Sequence, residues 1–296
     1  MKDGQIITPE DTWIKNQLAE IRRRMQEVIA NTSMGAMADQ PSQFLGFGKM
    51  LRSRLALRVG PAAGIPEETL LLAGAAVEMI HSASLLHDDV IDGAHLRRGA
   101  PAFWKDRGIP GTILLGDMLF FKALETAGQA DNVRLTSALI HFCGEVCEAE
   151  TEQELVLRGQ PLSWPQCLGI ARRKTGPLFA FMGYVSGGSN LELRNALQEA
   201  GYEVGTAYQL ADDLLDAHGD EKTAGKTLGS DEARKKATVA NFYSPNDPDP
   251  VKYIEDLCTS SARRLAAWPE VQQAWNVYLS KDIRPVLDQH LQPVSF

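Results

Sequence analysis

The chain predicts an all-α fold gathered into a single bundle-like domain, and three observations carry that prediction. Apolar residues recur at spacings of three and four through nearly all 296 residues. No stretch sustains a two-residue alternation between turn signals, the mark of a half-buried strand. The breakers between segments, Gly108-Ile109-Pro110-Gly111, Gly159-Gln160-Pro161, Gly187-Gly188 and SPNDPDP at 244–250, are short, so no long linker divides residues 1–296.

The elements follow in order. Thr8-Pro9-Glu10 sets a capping hydroxyl, a first-turn proline and an acid ahead of IKNQLAEIRRRMQEVI, the first helix. Ile65-Pro66-Glu67-Glu68 opens a second that runs into DDVID at 88–92. Further helices are expected over 112–128, 132–157, 164–185, 191–217 and 251–265, with a last one near 271–290. There is no internal repeat of solenoid length, but DDVID has a local echo in DDLLD at 212–216.

Composition narrows the function classes. A formal net charge of -8 argues against non-specific nucleic-acid binding while leaving room for a local basic pocket. The start, MKDGQIITPEDTWIKNQL, carries acids early and lacks a basic segment followed by an apolar one, so export is not expected and a cytoplasmic location is. Glu78, Asp88 and Asp117 interrupt the most apolar runs, so no membrane-spanning helix is expected. Four cysteines are too few for a disulfide scaffold; Cys143 and Cys147, with only His141 near them in sequence, read as buried thiols rather than a metal pair.

The chemistry concentrates in the two aspartate clusters. Asp88 and Asp92, like Asp212 and Asp216, stand four apart and project from one helical face, with Asp89 and Asp213 beside them. Like charges at that spacing repel inside an apolar helix unless cations collect there. Hard oxygen ligands with incomplete protein coordination suit Mg²⁺, which takes further oxygens from substrate phosphates. Two clusters facing each other across a bundle would hold one diphosphate with its metals between them. Candidate cations for that anion are Lys49, Arg52, Arg97, Arg98, Lys174, Lys226, Lys235 and Lys236.

The blocks GKMLRSR, IHSASLLHDDVIDGAHLRRGAPA, RRKTGPLF and YQLADDLLDAHGDEKTAGKTLGSD, in this order over residues 44–240, resemble the signatures of the trans-isoprenyl diphosphate synthases, the polyprenyl synthetase family. The resemblance implies the isoprenoid-synthase helical bundle with a central active-site cavity, and a homodimer. It implies that Asp88, Asp89, Asp92, Asp212 and Asp216 bind three Mg²⁺ that grip an allylic diphosphate, with Arg97, Lys174, Lys226 and Lys236 on the same anion. Lys49, Arg52, His81 and Arg98 match the isopentenyl diphosphate pocket, and Thr175 and Gln209 match positions beside the reacting carbons. Ala83 and Ser84, five and four before Asp88, match positions lining the hydrocarbon tunnel; both are small, which favours a product of roughly 25 to 40 carbons, with a floor near Leu139 or Phe142. The chain departs from the family in Met50, where a basic residue is usual, in Ser53, where proline is common, and in a shortened region over 241–296.

Two other readings compete. A class I terpene cyclase, or a prenyltransferase with an unusual acceptor, would share the fold and the first motif, but DDLLD followed by GDEKTAGKT fits the synthases. A non-catalytic partner subunit would be expected to lose an aspartate cluster, and both are intact.

Overall fold

The structure, a computed structural model, describes residues 8–37, 45, 48–130, 133–218, 238 and 247–291; Lys226, Lys235 and Lys236 lie outside them. It is a helical bundle. The helices are α1 (Pro9–Ala30), α2 (Leu51–Val59), α3 (Glu67–Ile91), α4 (Phe103–Gly128), α5 (Val133–Leu155), α6 (Trp164–Gly187) and α7 (Leu191–His218), followed by α8 (Pro250–Arg263), α9 (Pro269–Tyr278) and α10 (Arg284–Leu291).

Local chemistry accounts for the boundaries. Thr8 caps α1 in a reciprocal box with Asp11, its Oγ1 accepting from the Asp11 amide at 3.2 Å, and Pro9 follows at the first helical position. Ser163 and Gln166 form the same box at α6, and Asp249 caps α8 through the amides of Val251 and Lys252. The buried stripe of α1, Ile14, Leu18, Ile21, Met25 and Ile29, lies against the bundle, with Ile21 meeting Gly74 of α3.

Three of the described elements differ from the sequence expectation. Helix α2, nine residues long, is too short to register a period, and its residues Arg52, Ser53 and Arg58 are buried polar groups that hide its apolar face. Helix α4 opens at Phe103, ahead of the expected 112, with a short segment that breaks at Gly108 (φ 73°, ψ 163°) before the longer one begins, so the breaker expected at 108–111 is present. A two-stranded hairpin, β1 (Leu96–Arg97) with β2 (Ala100–Pro101), interrupts the all-helical pattern; its two-residue turn, Arg98-Gly99, has positive φ at both positions, as tight primed hairpins require. The last helix, expected near 271–290, is present as an unbroken helical run over 269–291, in which α9 and α10 flank a π-turn at Leu279–Ile283.

Two further readings need adjusting. Helix α3 is long and apolar enough by length and composition to cross a membrane, but 78% of its most apolar window is buried within the bundle, as in a central core helix. Cys143 is buried, whereas Cys147 is exposed.

Helices α6 and α7 run antiparallel in close contact. A Cβ on Gly205 would sit 2.6 Å from the Gly176 Cα, so the helices approach to backbone distance at that crossing. Thr175 is the residue before Gly176, and Gln209 stands one turn past Gly205. The crossing therefore fixes which side chains of the two helices meet.

Candidate active site

Helices α2, α3, α5, α6, α7 and α10 and the hairpin surround a cavity of about 510 Å³. Both aspartate clusters reach it. Asp88 and Asp92 come from the last turn of α3, where Asp92 is the C-cap, and Asp212 and Asp216 come from the last turns of α7.

The middle aspartates turn away from it. Asp89, 3% exposed, is off the cavity lining and accepts from Arg97, through Nε at 2.9 Å and through Nη2. Burial raises its carboxyl above the usual range against the pull of Arg97. Asp213, 5% exposed, accepts from Gln209 Nε2 at 2.7 Å. Each cluster thus presents two carboxylates to the cavity and anchors a neighbouring side chain with the third.

Among the described residues, five cations line the cavity. Arg97 reaches the cavity from β1 while held by Asp89, and Lys174 of α6 reaches it with Glu150 Oε1 at 2.8 Å and Gln153 Oε1 at 3.1 Å. Lys49, Arg52 and Arg98 line it as well. Arg98 (φ 56°) occupies the left-handed region, where a side chain is strained, and its guanidinium packs on Gly48 so closely that a Cβ there would lie 2.7 Å from Nη2. Arg52 lies over the Phe179 ring at 4.9 Å, and its buried Nε has no hydrogen-bond partner among the described residues. Burial lowers the pKa of Arg52 despite the nearby Glu78.

Glu78 and His81 line the cavity too. Glu78 accepts from the Ser53 amide at 3.2 Å and from Ser53 Oγ at 2.8 Å, and burial raises its pKa in spite of those bonds and Arg52. Ser53 therefore supplies a backbone N–H that proline lacks. Burial, with Arg52, Arg98 and Arg97 around it, pushes His81 well below the usual histidine range.

Thr175 and Gln209 meet where the glycine crossing puts them. Thr175 Oγ1 donates to Gln209 Oε1, and with Nε2 fixed on Asp213 the amide has one orientation. Ser84 lines the cavity, its hydroxyl donating to the His81 carbonyl at 3.0 Å, whereas Ala83 is buried away from it. Leu85, Val146 and Leu178 contribute apolar lining to the cavity. Leu139 and Phe142, the candidate floor, are buried off the lining, Phe142 edge-on to Phe181 at 6.1 Å.

Four cavity residues escaped sequence reasoning: Glu150, Tyr208, Glu78 and His290. Glu150 sits in an acidic run, EAETEQE, that reads as a solvated face, and Glu78 reads as an interruption of an apolar helix. His290 comes from α10, with Nδ1 3.9 Å from Asp212 Oδ1 and its ring edge-on to Tyr208 at 5.6 Å; nothing in its local sequence marks it.

Two carboxylate pairs and five cations around one cavity in a helical bundle suit an enzyme that handles anionic substrates. Residues 33–273 match the family described as polyprenyl synthetase, and the chain belongs to that family of prenyltransferases. It is 32% identical over 252 residues to a short chain isoprenyl diphosphate synthase of Methanocaldococcus jannaschii, covering 82% of this chain and 76% of that protein. It is 31% identical over 203 residues to the octaprenyl diphosphate synthase of Haemophilus influenzae, covering 67% and 61%. The fold matches a polyprenyl synthase from Caulobacter crescentus, solved with calcium and isoprenyl diphosphate, at a TM-score of 0.72 and 26% identity over 95% of this chain and 94% of that one.

Proposed function

We propose that the protein condenses isopentenyl diphosphate head-to-tail with an allylic diphosphate, with Mg²⁺, to make an all-trans polyprenyl diphosphate. The observation that carries this reading is the sharing of one cavity by Asp88, Asp92, Asp212 and Asp216 with five cations, Lys49, Arg52, Arg97, Arg98 and Lys174, enough to serve two diphosphates.

The four carboxylates fit Mg²⁺. Among the described residues no three ligand side chains converge tightly enough to hold an ion alone. Mg²⁺ is ordinarily held by one or two carboxylates and completed by waters and substrate phosphates, which is what two carboxylate pairs offer. When bound, the metal, three ions by the family resemblance, would neutralise charge developing on the leaving diphosphate.

The side chains support the remaining chemistry. Arg97 and Lys174 face the allylic diphosphate and stabilise the negative charge as its C–O bond breaks and the electron pair leaves with pyrophosphate. Lys49, Arg52 and Arg98 hold isopentenyl diphosphate, whose double bond attacks the allylic carbon. The Thr175 hydroxyl and the Gln209 carbonyl present oxygen dipoles to the positive charge on carbon. A proton is then lost to the departing pyrophosphate, restoring a double bond, and no enzyme nucleophile is needed. Lys226 and Lys236 are proposed for the same allylic anion on resemblance alone.

Product length follows from the apolar part of the lining. Ser84 leaves the wall small, which supports the range of roughly 25 to 40 carbons, with Phe142 and Leu139 behind Val146 as the layer a long tail must displace. Two copies are proposed to associate through an exposed apolar stripe on α4 and α5, Ile113, Leu114, Phe121 and Ile140, consistent with a cytoplasmic homodimer.

The decisive experiment incubates the purified chain with labelled isopentenyl diphosphate, a series of allylic primers and Mg²⁺. Prenyl product is expected, lost on chelation and restored by Mg²⁺. No product from any primer would overturn the proposal, and chromatography of the product gives its length.

A further inference from the structure

Helix α10 reaches the cavity directly through His290 and indirectly through the exposed Gln289, which holds a lysine of the lining. Gln289 Oε1 accepts from Lys49 Nζ at 3.0 Å, and His290 lines the cavity between Tyr208 and Asp212. A hydrogen bond spanning 240 residues of sequence brings the end of the chain to the cation at the cavity's rim.

The placement of α10 is built into the fold. The π-turn ahead of it carries Asp282, whose carboxylate accepts from Arg54 Nη1 and Arg58 Nε, both at 3.0 Å. Arg58 also binds Glu10 and Asp11 at 2.7 Å, and Lys281 binds Asp11 at 2.7 Å. Arg54 and Arg58 belong to α2, the helix that also carries Arg52, and Arg54 Nε donates at 2.8 Å to the Lys49 carbonyl. One buried ionic cluster thus holds Lys49, Arg52 and α10 together.

We infer that Gln289 is a positioning residue for isopentenyl diphosphate, holding the Lys49 ammonium over the pocket, and that His290 beside it closes that wall; this rests on the reading of the cavity given above. The chemistry suits the task. A flexible lysine loses entropy when it is fixed on an anion, and a partner that already holds it lowers that cost. The amide oxygen takes one of the three ammonium N–H groups and leaves two for the arriving diphosphate, without adding negative charge beside it. A carboxylate in the same place would hold Lys49 more firmly and repel the substrate.

The test uses the full chain and three variants, read by KM for each substrate, kcat and melting temperature. Gln289→Met keeps the bulk and removes the acceptor; KM for isopentenyl diphosphate should rise roughly fivefold, the weight of one exposed hydrogen bond, with the allylic KM little changed. Gln289→Glu should raise the same KM tenfold or more without lowering the melting temperature. His290→Phe, which keeps a ring against Tyr208, should change that KM less than His290→Ala. A merely structural strut predicts a lower melting temperature for Gln289→Met and an unchanged KM for Gln289→Glu, and that pattern overturns the inference. Absence of product from the unmodified chain would instead overturn the underlying reading, so the two failures are distinguishable.

Discussion

Gln209 Nε2 donates to Asp213 Oδ1 at 2.7 Å, which makes the middle aspartate of the second cluster part of the wall that aims Gln209. Asp212 and Asp216 remain as the carboxylates facing the cavity. Asp88→Ala or Asp212→Asn should therefore lower kcat by on the order of 10²–10³, as loss of a main electrostatic stabiliser does, and weaken the response to Mg²⁺. Asp213→Asn should cost far less and leave the Mg²⁺ response unchanged. Metal titrations of activity separate the two, and equal metal defects would contradict the division of roles.

His81 makes stability pH-dependent. In the unfolded chain it titrates near 6.5, and in the fold its pKa lies well below that. Between the two values the unfolded state holds more protons, so stability contributed by the neutral ring is complete above about pH 6.5 and is lost as pH falls below it. Denaturant unfolding at pH 7.5 and 5.5 should show a loss of about 1 kcal/mol that His81→Gln removes. The same slope in the variant would refute this origin.

Arg98 trades stability for position. Its left-handed backbone and the like charge of Arg97 beside it both oppose folding. Arg98→Asn, a residue that tolerates that conformation, should keep or raise the melting temperature while raising KM for isopentenyl diphosphate at least about tenfold. A lower melting temperature would show that the cation contributes net stability.

Gly205→Ala would force α6 and α7 apart at Gly176, with an expected destabilisation of about 1–3 kcal/mol. Because Thr175 and Gln209 flank that crossing, kcat should fall by more than the loss of folded protein explains. Activity per folded molecule, corrected by circular dichroism, checks this.

Ser84→Phe should shorten the product, since the ring would fill the wall that Ser84 leaves open. Product chromatography on the variant is the measurement, and an unchanged length would move the length-setting layer elsewhere.

Much of the helical frame was legible because helix starts carry explicit chemistry, as at Thr8 with Asp11, and because long amphipathic segments repeat their period many times. What escaped was short or non-local. Helix α2 offers nine residues, with Arg52, Ser53 and Arg58 buried for partners on other elements. In the site, the spacing of the aspartates indicated which could share a face, but not that Asp89 would be claimed by Arg97 or Asp213 by Gln209. His290 had no local signal, since its position depends on Asp282 meeting Arg54 and Arg58 across the fold.

The bond from the Ser53 amide to Glu78 ties two positions into one unit of inheritance. Replacing Ser53 alone by the family's common proline would remove both donors from a buried carboxylate, a penalty of about 1–3 kcal/mol that the intermediate sequence must carry. A path between this pocket and a proline-bearing one therefore passes most readily through a change at Glu78 first. Any attempt to transplant the pocket between relatives should move the two residues together.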